Sequence, residues 1–409
     1  MESCEEVVIV GGGIAGLATA VALKRVGVQS LVLERSQELR ATGGALTLFP
    51  NAWRALEVIG VANKLVSLYT TFNKEHVTNL MTGDYQEISF THDGLRDGLG
   101  VRAVHRKVLL EALAEELPSD AVRFSSKLES IKDEIIDGSS ISTLRFEDGS
   151  TIRAKVVIGC DGVHSVVAQW LGLTTPVRSG RSAVRAIAVF PDGHGFERDI
   201  QQFVDDGKRA GIVPINDKEL FWFMTHTSLP PEIEMVSDPE SIQNLIIDNL
   251  AKGFPPEYIN VVRHTDPTTL SWAPLMFRYP WDLLIGQTWR GCVTVAGDAM
   301  HPMTPDLGQG GCTALEDAVV LARHIASSSR SSSDGFEKAI EDYVKERRVR
   351  VAGIIAGSYL SGWVQQGGIG WWGGVVGRFV RDHIFYRFVF KRLVKVSEFD
   401  CGRLTCGEC

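Results

Sequence analysis

The apolar run EVVIV at residues 6–10, followed at once by GGGIAG at residues 11–16, constrains this chain more than any other segment. A continuous apolar run of that length reads as a strand buried on both faces of a parallel sheet. Ile14 to Val26 then read as an alanine- and leucine-rich helix with a narrow apolar face, stopped by Gly27. Strand, glycine turn and helix therefore follow in the order of a dinucleotide-binding βαβ unit. In that unit Gly11 allows the tight turn, Gly13 lets a pyrophosphate approach the backbone, and Gly16 lets the helix pack closely on the strand. The phosphates are expected at the helix N-terminus, around Ile14 and Ala15, where free N–H groups and the positive dipole end favour anions. Ser30 to Leu33 form a second apolar strand ending at Glu34, about where an acid takes the ribose hydroxyls and disfavours a 2'-phosphate. A glycine turn without a ligand is the plainer reading of the motif in isolation, and its flanking strand and helix outweigh it.

Size and composition fit a compact enzyme. The 409 residues suggest two or three domains, and 44% hydrophobic with 22% charged residues is a globular balance. No stretch reaches the roughly 18 uninterrupted apolar residues of a spanning helix. MESCEE leads directly into the first strand, leaving no room for a signal or transit peptide, so a cytoplasmic chain is expected. The formal charge of -8 gives nucleic-acid binding no support. Seven cysteines, an odd number without framework spacing, suggest reduced thiols.

Further segments point to the same ligand. TIRAKVVIGCDG at 151–162 places another buried strand, Val156 to Gly159, before Asp161, Gly162 and Ser165. An Asp-Gly pair after a strand is usually only a turn, but the helix-like VVAQWL after it favours a nucleotide-side loop. GVRAVHRKVLLEAL sets Arg102 and Arg106 before an amphipathic helix, a spacing that can put both guanidiniums on one side, where one reaches a phosphate or ribityl oxygens. GCVTVA at 291–296 reads as a strand delivering Gly297 and Asp298, the latter a hydrogen-bond acceptor for ribityl hydroxyls. The glycine-rich turn Gly308, Gln309, Gly310, Gly311 then leads into a helix from Thr313 to Ile325, whose N-terminus would stabilise negative charge on a bound ring. His301 tempts as a base, yet it lies within a loop-building motif and reads as structural.

Gly11, Gly13 and Gly16 with Glu34, Arg102 and Arg106, CDGVHS at 160–165, and GDAMHP followed by GQGGCTALEDA together resemble the single-component FAD monooxygenases typified by para-hydroxybenzoate hydroxylase. GGALTLFPNA (43–52), RAVHR and GQGGC look most like plant FAD-dependent monooxygenases related to zeaxanthin epoxidase and salicylate-hydroxylase-like enzymes. The resemblance covers residues 5–360. It implies FAD held by Gly11, Gly13, Ile14, Ala15, Gly16, Glu34, Arg35, Arg106, Asp298, Gly308, Gly310, Gly311 and Cys312. It also implies that NADPH or NADH reduces the flavin, that O2 adds at C4a, and that the C4a-hydroperoxyflavin delivers one oxygen atom to a small apolar or aromatic substrate by hydroxylation or epoxidation. The fold class expected is α/β (α+β overall). A Rossmann-like FAD-binding domain (1–68, 99–177 and 283–360) accompanies a mostly antiparallel substrate sheet (69–98 and 178–282) and a C-terminal helical basic tail (361–409).

Other features are weaker. A second Gly-x-Gly-x-x-Gly, at Gly368, Gly370 and Gly373, follows no buried strand and carries Trp371 and Trp372 where a pyrophosphate needs access, so the nicotinamide reductant is expected to bind only transiently. No metal ligand set is expected: Cys406 and Cys409 have only Cys401 nearby. In the substrate layer SAVRAIAVF, DIQQFV, RAGIVPI and LFWFMTHT read as antiparallel strands, and Phe221, Trp222 and Phe223 offer an apolar wall or ordinary core. His226 and His264 are possible bases for a phenol proton, with nothing to single out either, and no catalytic residue is assigned. Ser327 to Ser333 read as a flexible loop before a helix through DYVKERRVRVAGII. Val376 to Val396 carry six basic residues and one acidic, a helix packed on the FAD domain or a peripheral membrane contact. The functional alternatives are a flavin-fold reductase or oxidase and a non-enzymatic binding protein on the same fold.

Overall fold

A computed structural model describes residues 4–39, 44–90, 99–136, 139–229, 238–328, 333–365 and 395–404. Two sheets organise them. The first has eight strands, with a central order β16 (Trp289–Arg290), β17 (Val293–Val295), β10 (Thr151–Gly159), β1 (Cys4–Val10), β2 (Ser30–Leu33), β7 (Val122–Arg123), and it is extended by the hairpin β8 (Leu128–Ile136) and β9 (Ser139–Phe146). β1 pairs parallel with both β10 and β2, in a register that sets Val7 beside Val156 and Ser30. Val7, Val8 and Ile9 are fully buried, as a strand covered on both faces requires.

The helix Ile14–Arg25 packs one side of this sheet against the helix Gly310–Ser327. The latter begins three residues earlier than the sequence suggests, so Gly310 and Gly311 are its first turn. The helix expected after it runs for 33 residues, Ser333–Gln365, while residues 329–332 of the serine-rich loop lie outside the described residues.

The second sheet has seven strands in the order β15 (Ser271–Phe277), β11 (Val177–Val189), β14 (Glu219–Thr227), β13 (Lys208–Pro214), β12 (Ile200–Asp205), β4 (Lys74–Asn79), β5 (Tyr85–Ser89). Every pair is antiparallel except β4 with β12, and the β4–β5 hairpin lies within the 69–98 segment expected to join this sheet. One face packs on the helices Pro239–Leu245 and Pro256–Arg263 through Trp222, Met224, Ile242, Tyr258 and Val261. The other face looks toward the first sheet. A short pair, β3 (Ala45–Leu48) with β6 (Arg102–His105), lies between.

The helix expected over the C-terminal basic run falls almost wholly outside the described residues. Residues 366–394 and 405–409, with the second glycine motif, the Cys406–Cys409 pair and most of the basic run, lie outside the described residues. Residues 395–404 dock on the helices Pro50–Val58 and Ser333–Gln365. Arg350 donates to the Val396 carbonyl at 2.8 Å and lies 4.0 Å above the Phe399 ring, while Arg54 donates to the carbonyls of Glu398 and Phe399. Among the described residues no helix is long and apolar enough to cross a membrane.

Candidate active site

A cavity of about 1080 Å³ runs from the glycine turn after β1 to the inward face of the seven-stranded sheet. At its first end Gly11 adopts φ +109°, a region that L side chains rarely enter, and a Cβ there would strike the Cys160 carbonyl. Gly13 differs: a Cβ on it meets no atom within 4 Å, because it would project into the cavity. Gly13 is also the N-cap, without a side-chain cap, so the first N–H groups of the helix are left for a ligand. Ile14 and Ala15 line the cavity beside it. Gly16 does not. It sits behind the turn, where a Cβ would collide with the Gly11 carbonyl, so its role is packing.

Glu34 and Arg35 also line this end. The Glu34 carboxylate accepts from the Gly12 N–H at 2.7 Å and the Ser36 N–H at 2.8 Å, which joins the exit of β2 to the glycine turn. The Asp161 loop is both a cap and a wall. Asp161 accepts from the Val166 N–H at 2.7 Å and Ser165 from the Ala168 N–H at 2.8 Å, while Cys160, Gly162 and His164 face the cavity. Burial raises the Asp161 carboxyl, against the lowering effect of these hydrogen bonds.

Arg106 reaches the cavity and its buried Nε has no partner among the described residues. Arg102 does not join it. β6 ends at His105 and the helix Arg106–Ala114 begins at Arg106, so the two arginines never share a helical face. Arg102 is buried, donates to the Tyr69 and Gly100 carbonyls at 3.1 and 2.9 Å, and lies 4.9 Å from the Trp53 ring.

Asp298 is exposed to the cavity from the turn Gly297–Ala299. A fully buried network holds that turn. Asp317 accepts from the Gly297 N–H at 2.9 Å, from His301 Nε2 at 2.5 Å and from Arg347 Nε at 2.7 Å, and Arg347 also meets Glu316 at 2.7 Å. Burial alone would raise the Asp317 carboxyl, but the charges of His301 and Arg347 with the hydrogen bonds hold it at about 2. His301 is fully buried in this network and does not line the cavity.

Gly308 takes the left-handed conformation, φ +63°, that turns the chain into the Gly310–Ser327 helix, and it lines the cavity with Gly310 and Gly311. A Cβ on Gly310 would meet nothing within 4 Å. Cys312 lies behind this wall, its thiol toward the Gly308 and Thr47 carbonyls and pushed up to about 12 by burial.

On the opposite wall, strand alternation decides which residues face inward. Phe221, Phe223 and Thr225 line the cavity, whereas Leu220, Trp222, Met224 and His226 turn to the helix-covered face. His226 packs against Trp272 with ring centroids 5.6 Å apart, and His264 stacks on Phe190 at 4.2 Å. Neither imidazole expected as a base reaches the cavity.

A polar cluster absent from the sequence reading does. Arg181 donates to both carboxylate oxygens of Asp306 at 2.9 and 2.7 Å. Arg209 donates to Gln202 at 2.6 Å and approaches Asp306 at 3.5 Å, and Gln202 donates to Glu75. Arg185, two positions beyond Ala183 on the same face of β11, also lines the cavity. The signal in the sequence was arginine at even spacing within otherwise apolar strands, at 181, 185 and 209, which places charge on a sheet face.

The sequence profile of a family described as FAD binding domain matches residues 5–358. Among relatives, the chain is 38% identical to "Monooxygenase 2" of Arabidopsis thaliana, across 99% of both chains. It is 34% identical to "Monooxygenase 1" of the same plant, across 97% of this chain and 99% of that one. Among solved structures, Klebsiella pneumoniae HpxO complexed with FAD and uric acid superposes with a TM-score of 0.81 at 23% identity, over 98% of each chain.

Proposed function

The chain belongs to the FAD-dependent monooxygenase family, and on that premise we propose that it inserts one oxygen atom of O2 into a small apolar or aromatic substrate, by hydroxylation or epoxidation, with NADPH or NADH as transient reductant. The observation that carries this reading is the single cavity joining a bare helix N-terminus to an aromatic sheet face. The residues fit FAD: Gly13 and Gly310 leave space where a side chain would intrude, and the buried Arg106 Nε lacks a partner.

In this reading Gly11, Gly13, Ile14 and Ala15 take the pyrophosphate, Glu34 and Arg35 the adenosine ribose, Arg106 and Asp298 the ribityl chain, and Gly308, Gly310 and Gly311 the edge of the ring. Gly16 and Cys312 support that wall from behind. Bound FAD supplies electron transfer from the nicotinamide and activation of oxygen. The chain supplies the rest. The first turn of the Gly310–Ser327 helix stabilises negative charge on the ring edge, and Phe221 and Phe223 hold an apolar substrate and keep water out. The discontinuous division into an FAD-binding domain and a substrate sheet belongs to this proposal, as does a cytoplasmic location, which the five free cysteines among the described residues support.

The test is reconstitution with FAD followed by NADPH and NADH oxidation over aromatic and isoprenoid compounds, with 18O2 traced into product. A protein that stays colourless with FAD refutes the cofactor assignment. A yellow protein that sends all its oxygen to hydrogen peroxide, or none, is a reductase or oxidase.

A further inference from the structure

The exposed apolar side chains of this protein are not scattered. Of the thirteen large ones among the described residues, seven lie on one face. Tyr279, Trp281, Leu284 and Ile285 belong to the short helix Pro280–Ile285 and its N-cap. Tyr359, Leu360 and Trp363 belong to the last turns of the helix Ser333–Gln365, which packs beside it. Ring contacts make the patch continuous: Trp281 stacks on Tyr279 with centroids 4.5 Å apart, Tyr279 meets Phe277 edge-on at 5.2 Å, and Phe277 stacks on Tyr359 at 4.7 Å. Ile285 is 84% exposed and Trp281 54%. Single exposed apolar residues need no explanation, but a contiguous patch marks a contact surface.

Charge is missing from the same region. Residues 351–377 contain no charged side chain, in a chain of which 22% is charged. Every exposed position of the long helix from 349 to 363 is uncharged, whereas the outward face of a surface helix is ordinarily polar. Two charges lie beside the patch, and neither is free: Arg278 is buried on the Ala299 and Met300 carbonyls, and Asp282 accepts from Thr174 at 2.5 Å. Immediately afterwards the sequence turns basic. Residues 378–395 carry six Lys or Arg and one Asp, in a chain of net charge -8. Tryptophan and tyrosine set among aliphatic side chains, with cationic charge next to them, suit the boundary between headgroups and acyl chains of an anionic bilayer.

We propose that the face formed by residues 279–285 and 359–363 docks on the surface of an anionic phospholipid bilayer, with the apolar side chains entering the interface and the following basic run drawn to the headgroups. The contact is peripheral, since no helix among the described residues is long and apolar enough to cross a membrane. The other side of the same helical turns meets the cavity wall. A Cβ on Gly362 would strike the Arg181 guanidinium and the Asp306 carboxylate, and Asp306 lines the cavity. One helix thickness, about 10 Å, therefore separates the bilayer from the cavity wall. A compound dissolved in the membrane is concentrated beside the site, whatever chemistry the cavity performs on it.

The test uses the full-length, FAD-loaded protein and sucrose-loaded vesicles, either pure phosphatidylcholine or equal parts phosphatidylcholine and phosphatidylglycerol. Co-sedimentation should be at least about tenfold stronger with the anionic vesicles and should weaken as salt is raised. Trp281→Ser with Ile285→Ser, and Leu360→Ser with Trp363→Ser, should each lower the partition coefficient at least about tenfold. Without lipid both pairs should leave the thermal midpoint nearly unchanged and the FAD dissociation constant within about twofold, because exposed side chains support no core. Ile285→Asp, at the outermost position, should weaken vesicle binding by itself and serves if a serine pair does not fold.

The proposal is overturned if neither vesicle binds the protein, if binding ignores lipid charge and salt, or if the serine pairs bind vesicles as the parent does. Serine pairs that lose thermal stability without lipid would show the face to be covered by residues 366–394 of the chain itself. A parent that sediments as a dimer without lipid, beside monomeric serine pairs, would make the face an interface between copies; either result refutes the membrane assignment.

Discussion

Asp317→Asn isolates the buried charge beneath the Asp298 turn. The substitution keeps an oxygen to accept from the Gly297 N–H and leaves Arg347 paired with Glu316 at 2.7 Å, so the arginine keeps a counter-charge. The expected cost is therefore below the roughly 3–5 kcal/mol of breaking a buried pair outright. A carboxyl titrating at about 2 when folded and at the ordinary 3.8 when unfolded contributes about 2–3 kcal/mol at neutral pH. The sign follows from the depressed folded value. The contribution is complete above the unfolded pKa and is lost as pH falls from 3.8 through about 2. Urea unfolding of the full chain, followed by tryptophan fluorescence between about pH 7 and pH 3, should show the variant weaker at neutrality and the gap narrowing below about pH 4. FAD affinity should fall as well, because the Gly297 turn presents Asp298 to the cavity. Equal stability at pH 7, or a deficit that persists undiminished at pH 3, refutes the linkage.

Gly13→Ala should fold normally, since its backbone is unstrained at φ -82° and its Cβ meets nothing, yet lose at least about tenfold in FAD affinity by flavin fluorescence titration. Gly11→Ala, at φ +109° against the Cys160 carbonyl, should instead yield little folded protein. Arg102→Met should lower stability by about 1–3 kcal/mol through the unsatisfied Tyr69 and Gly100 carbonyls, with FAD affinity unchanged. Removing residues 395–409 should lower the thermal midpoint, because Phe399 no longer covers Arg347 and Arg350 and the Val396 carbonyl no longer accepts from Arg350; an unchanged midpoint would show that the docked segment adds nothing.

The nucleotide end was legible because its determinants are local. A strand, a turn and a helix within about twenty residues declare both the fold and the ligand, since the backbone itself makes the phosphate site. The turns that bring Asp298 and Gly308–Gly311 to the cavity were legible for the same reason. Arg102 misled because an i, i+4 spacing faces one way only inside a helix, and a strand end at His105 lies between the two arginines. Gly16 and Cys312 belong to motifs whose members divide between lining the cavity and packing behind it, a distinction that depends on which way each atom points. His226 fell to parity: it follows Trp222 and Met224 at even spacing and shares their helix-covered face, whereas Phe221, Phe223 and Thr225 face the cavity.

The substrate wall depends on partners far apart in the chain. Alternation shows that Arg181, Arg185 and Arg209 lie on a sheet face, but a solvated face and a cavity wall share that pattern until another layer covers it. Here the covering layer includes the Pro305–Leu307 turn, and its Asp306 accepts from Arg181 with both carboxylate oxygens and lies beside Arg209. The same turn leads through Gly308 into the helix whose first turn lines the cavity. Asp306 thus ties the seven-stranded sheet to the turn that leads into the Gly310–Ser327 helix. Arg185, left out of that tie, lines the cavity two positions beyond Ala183 on the same face.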